Sequence, residues 1–404
     1  MQKLEIAKEK TALMPMYVRK KEEYKTHPTV ATWGINVVSK MKYLGVMLDS
    51  KMDWYPHTQF LETKLLHLRN SLIRCSKATW GISYHQLLTT YNHAILPAAT
   101  YAAEVWSHSL SGRASHKLKQ IQRSFLIFIT KAYKMVSNEA IQAIAGAMPI
   151  DQVLHLYKDM KAIRKGLPTN AVIPELKTSE LPVRLGGIHP KDNHIKIDQT
   201  GRVGQADVLI FTDESKTENH VGAGIAVEEK SKEIYIDARK LSNECSVFQA
   251  ELLGIKMAVE WIQHQRKSNT YAIHVDSKAA LFAVANKRTT HPMAVLIRKE
   301  VITLRKRTKI TLHWVRGHTG IRGNERADYL ARTAASYKTT IDYNSIPMSR
   351  AKQLLRNHYT NIWNATYINS EVASQTKICI PSIHHRLSLS LWPTYILTQF
   401  LTNH

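Results

Sequence analysis

Apolar residues recur along this chain with two different periods, which together predict a mixed α/β segment between about residues 206 and 335. Short apolar or alternating runs predict five strands, at 208–212, 222–227, 233–238, 271–275 and 310–315. Apolar residues at helical spacing predict helices at about 245–265, 278–285, 293–306 and 324–335. Strands followed by β–α–β units indicate one mixed five-stranded sheet with flanking helices.

Helical patterns also dominate the sequence on both sides of this segment. They are predicted at 61–75, 84–103, 114–133 and 350–367, the second one interrupted by Pro97. Residues 1–41 are basic and lack apolar periodicity, so we expect a leader of strands and loops. Proline and glycine break the periodicity between about 162 and 205, which predicts a linker.

Four acidic residues stand where the predicted elements would bring them together. Asp213 and Asp276 end predicted strands, whereas Glu251 and Asp328 lie on predicted helices. Ligands of such sheets collect outside the strand ends. Four carboxylates in one place repel one another unless cations hold them, and all-oxygen ligands suit Mg²⁺ or Mn²⁺ better than zinc.

Each of these residues alone also has an ordinary structural interpretation. Asp213 could start a turn and Asp276 could cap the following helix. Glu251 and Asp328 could be solvated helix residues, and His318 could be an ordinary loop side chain. The functional interpretation depends on their occurring together and in order.

The segment resembles a type 1 ribonuclease H domain through four successive motifs, TDES at 212–215, QAEL at 249–252, VDSKA at 275–279 and WVRGHTGIRGNERAD at 314–328. This resemblance implies cleavage of the RNA strand of an RNA–DNA hybrid with two Mg²⁺ ions, for which Mn²⁺ is a possible substitute. It implies that Asp213 bridges both ions, that Glu251, Asp276 and Asp328 complete the metal sites, and that His318 assists proton transfer or product release.

One motif position departs from the family pattern. The family usually has glycine after the first aspartate, where this chain has Glu214. A carboxylate there could compete for metal or repel the phosphates of the hybrid. The departure favours an alternative interpretation, a nucleic-acid-binding relic of a truncated retroelement whose site is catalytically impaired.

The N-terminal part resembles the region after the polymerase palm in reverse transcriptases of non-LTR retrotransposons. The motifs that match are KYLGV at 42–46, YNHAILP at 91–97 and AIAGAMP at 143–149. The resemblance implies a helical thumb or connection region that grips a template–primer duplex. The sequence contains no aromatic-x-Asp-Asp tetrapeptide, so we expect no polymerase palm; a polymerase on another chain of a larger assembly is a further alternative.

These observations predict four regions along the chain. They are a reverse-transcriptase thumb/connection-like helical region at 1–160, a linker at 161–205, a type 1 ribonuclease H domain at 206–336 and a helical tail at 337–404.

Composition adds a prediction about partners and compartment. Lys and Arg number 56 against 32 Asp and Glu, a net charge of +24, which favours polyanionic partners: RNA–DNA hybrid, RNA and DNA. Cys75, Cys245 and Cys379 lie too far apart for a disulfide framework or a zinc knuckle. The sequence shows no membrane-spanning apolar run, and its first residues lack the apolar core of a signal peptide. We therefore expect an intracellular protein with no membrane partner, in either nucleus or cytoplasm.

Overall fold

The computed structural model describes residues 11–16, 34–75, 81–184, 186, 194–218, 220–265 and 269–403. Contacts divide the chain into two compact units. Unit 1 comprises Met1–Lys161, Thr169–Ala171 and Leu355–His404, and unit 2 comprises Ala162–Pro168 and Val172–Leu354. Most of the predicted leader at 1–41, and residues 185 and 187–193 of the predicted linker, lie outside the described residues.

Strands and helices are each numbered in chain order. The strands are β1 (Ala12–Leu13), β2 (Asn36–Val37), β3 (Lys40–Tyr43), β4 (Val46–Asp49), β5 (Ile197–Gly201), β6 (Val208–Lys216), β7 (Val221–Glu229), β8 (Lys232–Leu241), β9 (Tyr271–Val275) and β10 (Ile310–Val315). The helices are α1 (Tyr55–Arg74), α2 (Tyr84–Thr90), α3 (Leu96–Ala99), α4 (Ala103–Trp106), α5 (Gly112–Thr130), α6 (Asn138–Ala145), α7 (Ile150–Arg164), α8 (Val247–Gln263), α9 (Lys278–Ala285), α10 (Pro292–Leu304), α11 (Arg322–Tyr337), α12 (Met348–Asn369), α13 (Ser374–Cys379), α14 (Ile383–Ser388) and α15 (Tyr395–Thr402).

Unit 2 is built on a mixed sheet with the strand order β5-β10-β9-β6-β7-β8. Strands β5, β10, β9 and β6 are parallel, and β6, β7 and β8 form an antiparallel meander. Helices α8 to α11 flank the sheet, as the apolar periodicity predicts. Helix α8 begins at a capping box in which Ser246 and Gln249 satisfy each other's backbone N–H groups.

The sheet has six strands, so the predicted number of five is wrong. The additional strand, β5, lies in the stretch predicted to be a linker and pairs in parallel with β10 at the edge of the sheet. Its sequence, IDQTG, contains one apolar residue. An edge strand held by backbone hydrogen bonds needs no apolar alternation, so sequence periodicity could not reveal it.

Helix α11 packs unusually closely against β7 because two glycines of that strand have no side chain. A Cβ atom on Gly224 would lie 2.4 Å from the carbonyl oxygen of Ala327, and one on Gly222 would lie 2.3 Å from that of Ala331. Both distances are far below van der Waals contact, so the helix can approach the sheet only where glycine stands.

Unit 1 is mainly helical, with α1, α5 and α6 around one apolar core and a β3–β4 hairpin beside it. The predicted break at Pro97 takes the form of a π-helical turn, Tyr91–Ile95, which connects α2 to α3. A π turn accommodates a proline because the residue cannot donate the regular helical hydrogen bond. The buried Arg386 ties the C-terminal helices to α6 by donating from Nη2 to the Ile144 carbonyl at 2.8 Å. Within the described residues, no helix combines the length and the apolarity needed to cross a membrane.

We predict that Gly224→Ala destabilises unit 2 by about 1–3 kcal/mol, the usual cost of overpacking a well-packed core. Chemical denaturation measures this change. The matched control is Gly112→Ala, because nothing lies within 4 Å of a Cβ atom there and Gly112 is helical. A Gly224→Ala protein as stable as its parent would contradict the close packing of α11 on β7.

Candidate active site

The parallel pairing of β6 with β9 places two of the predicted site residues side by side. Thr212 pairs with Val275, and Asp213 and Asp276 are the next residues on each chain segment. Both carboxylates therefore emerge at the same edge of the sheet, where parallel strands place their ligands. Asp213 is buried, with 6% of its surface exposed.

A third carboxylate, from Glu214, lies beside these two. One carboxylate oxygen from each of the three residues, Asp213, Glu214 and Asp276, lies within 4.8 Å of the other two. Neighbouring residues of a strand normally point to opposite faces, but this alternation does not separate the two carboxylates at positions 213 and 214. The residue that departs from the family motif thus belongs to the acidic cluster, which we define as Asp213, Glu214 and Asp276.

Hydrogen bonds fix the orientation of Asp213. Asn324, at the start of α11, donates from Nδ2 to Oδ2 of Asp213 at 3.0 Å, and the backbone N–H of Glu214 donates to Oδ1 at 2.9 Å. The Oδ1 atom of Asn324 is buried and has no hydrogen-bond partner among the described residues. Asn324 falls within the motif at 314–328, but its role was not predicted, because the motif does not show which polar side chain reaches Asp213.

Asp276 is positioned from the side of β10. The indole Nε1 of Trp314 donates to the backbone carbonyl of Asp276 at 2.8 Å. A Cβ atom on Gly317 would lie 2.7 Å from Oδ2 of Asp276, so a larger residue there would displace that carboxylate oxygen. The loop at 316–320 can therefore pass directly over the carboxylate.

Burial and mutual repulsion disfavour the charged forms of the acidic cluster. Burial, then the charges of Asp276 and Glu214, raise the pKa of Asp213 to about 8. Burial, then the charges of Asp276 and Glu251, raise the pKa of Glu214 to about 7. The pKa of Asp276 is raised as well, mainly by burial. The protein keeps these acids together at a cost that a bound cation would remove.

Glu251 and Asp328 lie next to the acidic cluster but outside its 4.8 Å grouping. Burial is the main cause that raises the pKa of Glu251. A hydrogen bond with the Ser277 side chain lowers this pKa in part, and the charge of Asp276 raises it. Asp328 forms a two-point ion pair with Arg332, from Nε to Oδ1 at 2.9 Å and from Nη2 to Oδ2 at 2.5 Å. Its charge still reaches the cluster, since it contributes to the raised pKa of Asp213.

His318 occupies an exposed position on the loop between β10 and α11. Its backbone has a φ of 53°, in the left-handed region, and its charge partly opposes the rise in the pKa of Asp276. The five residues singled out from the sequence therefore lie at one edge of the sheet. Carboxylate oxygens of Asp213 and Asp276 lie within 4.8 Å of each other, and the charges of the other three residues act on the acidic cluster.

The donor set matches the chemistry of a hard divalent cation. The acidic cluster offers only carboxylate oxygens, and its three members combine burial with raised pKa values. Oxygen ligands of this kind suit Mg²⁺ or Mn²⁺. The residues present therefore fit the metal ions that the resemblance implies.

Comparison with known proteins identifies the segment that contains this cluster. Residues 205–336 match the family model described as RNase H. The retrovirus-related Pol polyprotein from type-1 retrotransposable element R1 4 of Nasonia vitripennis is 30% identical over 132 residues, covering 33% of this chain and 33% of that protein. The putative 115 kDa protein in type-1 retrotransposable element R1DM of Drosophila melanogaster is 28% identical over 144 residues, covering 35% of this chain and 14% of that protein.

The comparison with solved structures also gives a match. The prototype foamy virus protease–reverse transcriptase is 19% identical, with a TM-score of 0.30, and the match covers 34% of this chain and 22% of that chain. The chain spans a third or less of the length of both relatives named above. The family match and the observed mixed sheet agree with the fold predicted from the motifs: residues 205–336 form an RNase H domain, and its relatives are R1-type retrotransposon polyproteins.

Proposed function

We propose that this chain hydrolyses the RNA strand of RNA–DNA hybrids at the acidic cluster, with two divalent cations, Mg²⁺ or Mn²⁺, as cofactors. The single observation that carries the proposal is the convergence of Asp213 and Asp276 on neighbouring parallel strands, inside a segment that matches RNase H. In this proposal Asp213, Glu251, Asp276 and Asp328 hold the metal ions.

When bound, two such ions make a water molecule a stronger nucleophile and stabilise the charge on the leaving oxygen. The chain's own residues orient the ligands for that chemistry. Asn324 and the Glu214 N–H fix the two oxygens of Asp213, and Trp314 fixes the backbone of Asp276. His318, exposed on its loop, is placed to exchange protons with solvent or with the departing product.

Arg332 pairs with one of the proposed metal ligands. Its ion pair occupies both oxygens of Asp328. Asp328 could hold a metal ion only if this pair were open, and the ion would then supply the positive charge that the largely exposed guanidinium of Arg332 now supplies.

The substrate fits the charge of the chain. A net charge of +24 favours association with phosphates without regard to sequence. RNA–DNA hybrid, RNA and DNA are therefore the proposed partners, with hybrid selected by duplex shape and 2′-hydroxyl contacts.

A second candidate function follows from one observation, the presence of Glu214 inside the acidic cluster. In that alternative the chain binds nucleic acid but cleaves it poorly, because the extra carboxylate repels the scissile phosphate or displaces a metal ion. The two candidates differ in one measurable quantity, the rate of hybrid cleavage.

We predict that hybrid cleavage requires Mg²⁺ or Mn²⁺ and that Asp213→Asn lowers its rate at least about a hundredfold, because the central metal ligand loses its charge. A labelled RNA–DNA hybrid, assayed with each ion and with EDTA, measures the rate. The matched control is Asp151→Asn, an Asp of unit 1 with 41% side-chain exposure, which should cleave at the parent rate. Undiminished cleavage by Asp213→Asn in EDTA would disprove the proposed site.

We predict that the same Asp213→Asn substitution stabilises the metal-free protein near pH 7. The folded-state pKa of Asp213, about 8, lies above its ordinary value of 3.8, so this group stabilises the fold less and less as pH rises from about 4 to 8. An uncharged Asn escapes this loss, and we expect a gain of roughly 2 kcal/mol. Thermal unfolding across this pH range measures the difference.

The same unfolding experiment has an internal control. Added Mg²⁺ should raise the melting temperature of the parent more than that of Asp213→Asn, because only the parent gains the full ligand set. A variant that is less stable than the parent at every pH, with or without Mg²⁺, would show that repulsion in the acidic cluster is not the dominant cost.

We predict that Glu214→Gly increases hybrid cleavage several-fold, mainly by tightening substrate binding, because it removes a carboxylate that lies within 4.8 Å of Asp213 and Asp276. Glu214→Gln removes the charge but keeps the bulk, so it should recover part of the gain. Initial rates as a function of hybrid concentration separate binding from turnover. If both variants match the parent in rate and affinity, Glu214 is a neutral substitution and the impaired-site alternative loses its support.

A further inference from the structure

A second charged feature of unit 2 lies at the end of the sheet where β9 and β10 begin. It is an open cleft of about 870 Å³. Four cationic side chains from two chain segments line it, and no described residue of the lining carries a carboxylate: Lys196, Arg305, Arg307 and Lys309. We refer to these four residues and the space between them as the basic cleft.

The basic cleft and the acidic cluster occupy opposite ends of the same strands. Tyr271 pairs with Ile310 where β9 and β10 start, and Asp276 follows the last residue of β9. Five residue steps of about 3.3 Å separate the two ends, so the features lie roughly 16 Å apart along the strands.

Backbone carbonyls hold the two arginines of the cleft in place. Arg305 donates from Nη1 to the carbonyl of His194 at 3.0 Å and from Nη2 to that of Ile310 at 3.1 Å. Arg307 donates from Nη2 to the carbonyl of Gln263 at 2.8 Å. These acceptors are uncharged, and burial lowers the pKa of Arg305. Each guanidinium has five N–H donors, so hydrogen-bonding capacity remains for a ligand.

The two lysines complete the positive charge. Lys196 and Lys309 are exposed, and neither has an ion pair or hydrogen bond within the described part of the chain. The nearby Asp207 carboxylate is engaged by the backbone N–H and the hydroxyl of Thr270, at 2.7 and 2.8 Å. The cleft thus presents uncompensated cations beside the hydroxyl and amide side chains of Thr270, Thr308 and Asn269.

Two other lysines of unit 2 are paired with acids. Lys256 contacts Glu260 at 3.2 Å and Lys338 contacts Asp342 at 2.8 Å. An ordinary solvated surface mixes charges in this way, which avoids repulsion between like charges. The basic cleft lacks that mixing, and a concave surface lined by one sign of charge concentrates the field on an incoming ligand of the opposite sign.

We propose that the basic cleft binds the phosphate backbone of a single-stranded nucleic acid segment, separate from the hybrid at the acidic cluster. Lys, Arg, Thr and Asn side chains are the usual partners of phosphate and sugar oxygens, and positively charged grooves bind flexible single strands. The described lining contains no Phe, Tyr or Trp ring, and His194 is its one exposed aromatic side chain. Phosphate contacts therefore outnumber sites for base stacking, and the strand is bound with little preference among bases.

The test compares the full chain with two double variants that remove equal charge. Lys196→Gln with Lys309→Gln removes two cations from the basic cleft. The control, Lys230→Gln with Lys232→Gln, removes two exposed lysines that stand among Glu228, Glu229 and Glu233. Fluorescence anisotropy of a labelled strand of about twelve nucleotides, within the range of single-strand site sizes, measures affinity over a series of salt concentrations, once for RNA and once for DNA.

We expect the cleft variant to bind the single strand roughly tenfold more weakly than the parent and to lose about 1.4 from the salt slope, or about 0.7 for each lost phosphate contact. The control should bind like the parent. Photo-crosslinking with a substituted strand should label peptides that contain residues 305–311 in the parent and the control but not in the cleft variant. Equal binding of RNA and DNA indicates phosphate contacts alone, whereas a preference for RNA adds a 2′-hydroxyl contact; both support the proposal.

Three outcomes would overturn the proposal. One is equal affinity and labelling in all three proteins. Another is a cleft variant whose hybrid cleavage falls together with its single-strand binding, which would make the cleft part of the hybrid path. The last is a cleft variant that loses the parent's binding to poly-glutamate, an acidic peptide, but binds the single strand as the parent does. That result would indicate a protein partner. Because strand binding is measured directly, a parent protein that cleaves no hybrid would contradict the proposed function without affecting this test.

Discussion

The pairing of β6 with β9 is the constraint on which the candidate site depends. Parallel strands in register end at the same edge, so Asp213 and Asp276 must emerge as neighbours. The sheet thereby brings the charge of Asp276 close to Asp213, where it raises the pKa of Asp213 further after burial has already raised it. Burial is also the main cause of the raised pKa of Asp276. A site that is electrostatically unfavourable when empty is poised to bind cations, because the binding of cations removes that cost.

The rest of unit 2 keeps this edge in place. Helix α11 lies on β7 at a distance that only glycine permits, and this close approach sets the position of Asn324, which orients Asp213. Strand β10 contributes Trp314, which holds the backbone of Asp276. Stability of the fold and geometry of the site are therefore coupled through the same helix and the same edge of the sheet.

Much of this arrangement could be predicted from the sequence because buried strands and amphipathic helices leave periodic apolar patterns. The strands from β6 to β10 and the helices α8 to α11 follow those patterns. The four ordered motifs place two of the acids in or directly after a strand and two on helices. Strand β5 could not be predicted, since an edge strand held by backbone pairing with β10 needs no apolar side chains. The orientations of Glu214 and Asn324, and the ion pair between Asp328 and Arg332, depend on side-chain geometry that sequence spacing does not determine.

The most direct test of the central claim is whether divalent cations bind at the acidic cluster. Titration of the full chain with Mn²⁺, followed by electron paramagnetic resonance of the free ion, measures the number of bound ions and their affinity. We predict saturable binding to the parent protein and the loss of most of it in Asp276→Asn, with the fold retained. Equal binding of Mn²⁺ by the parent and by Asp276→Asn would contradict it.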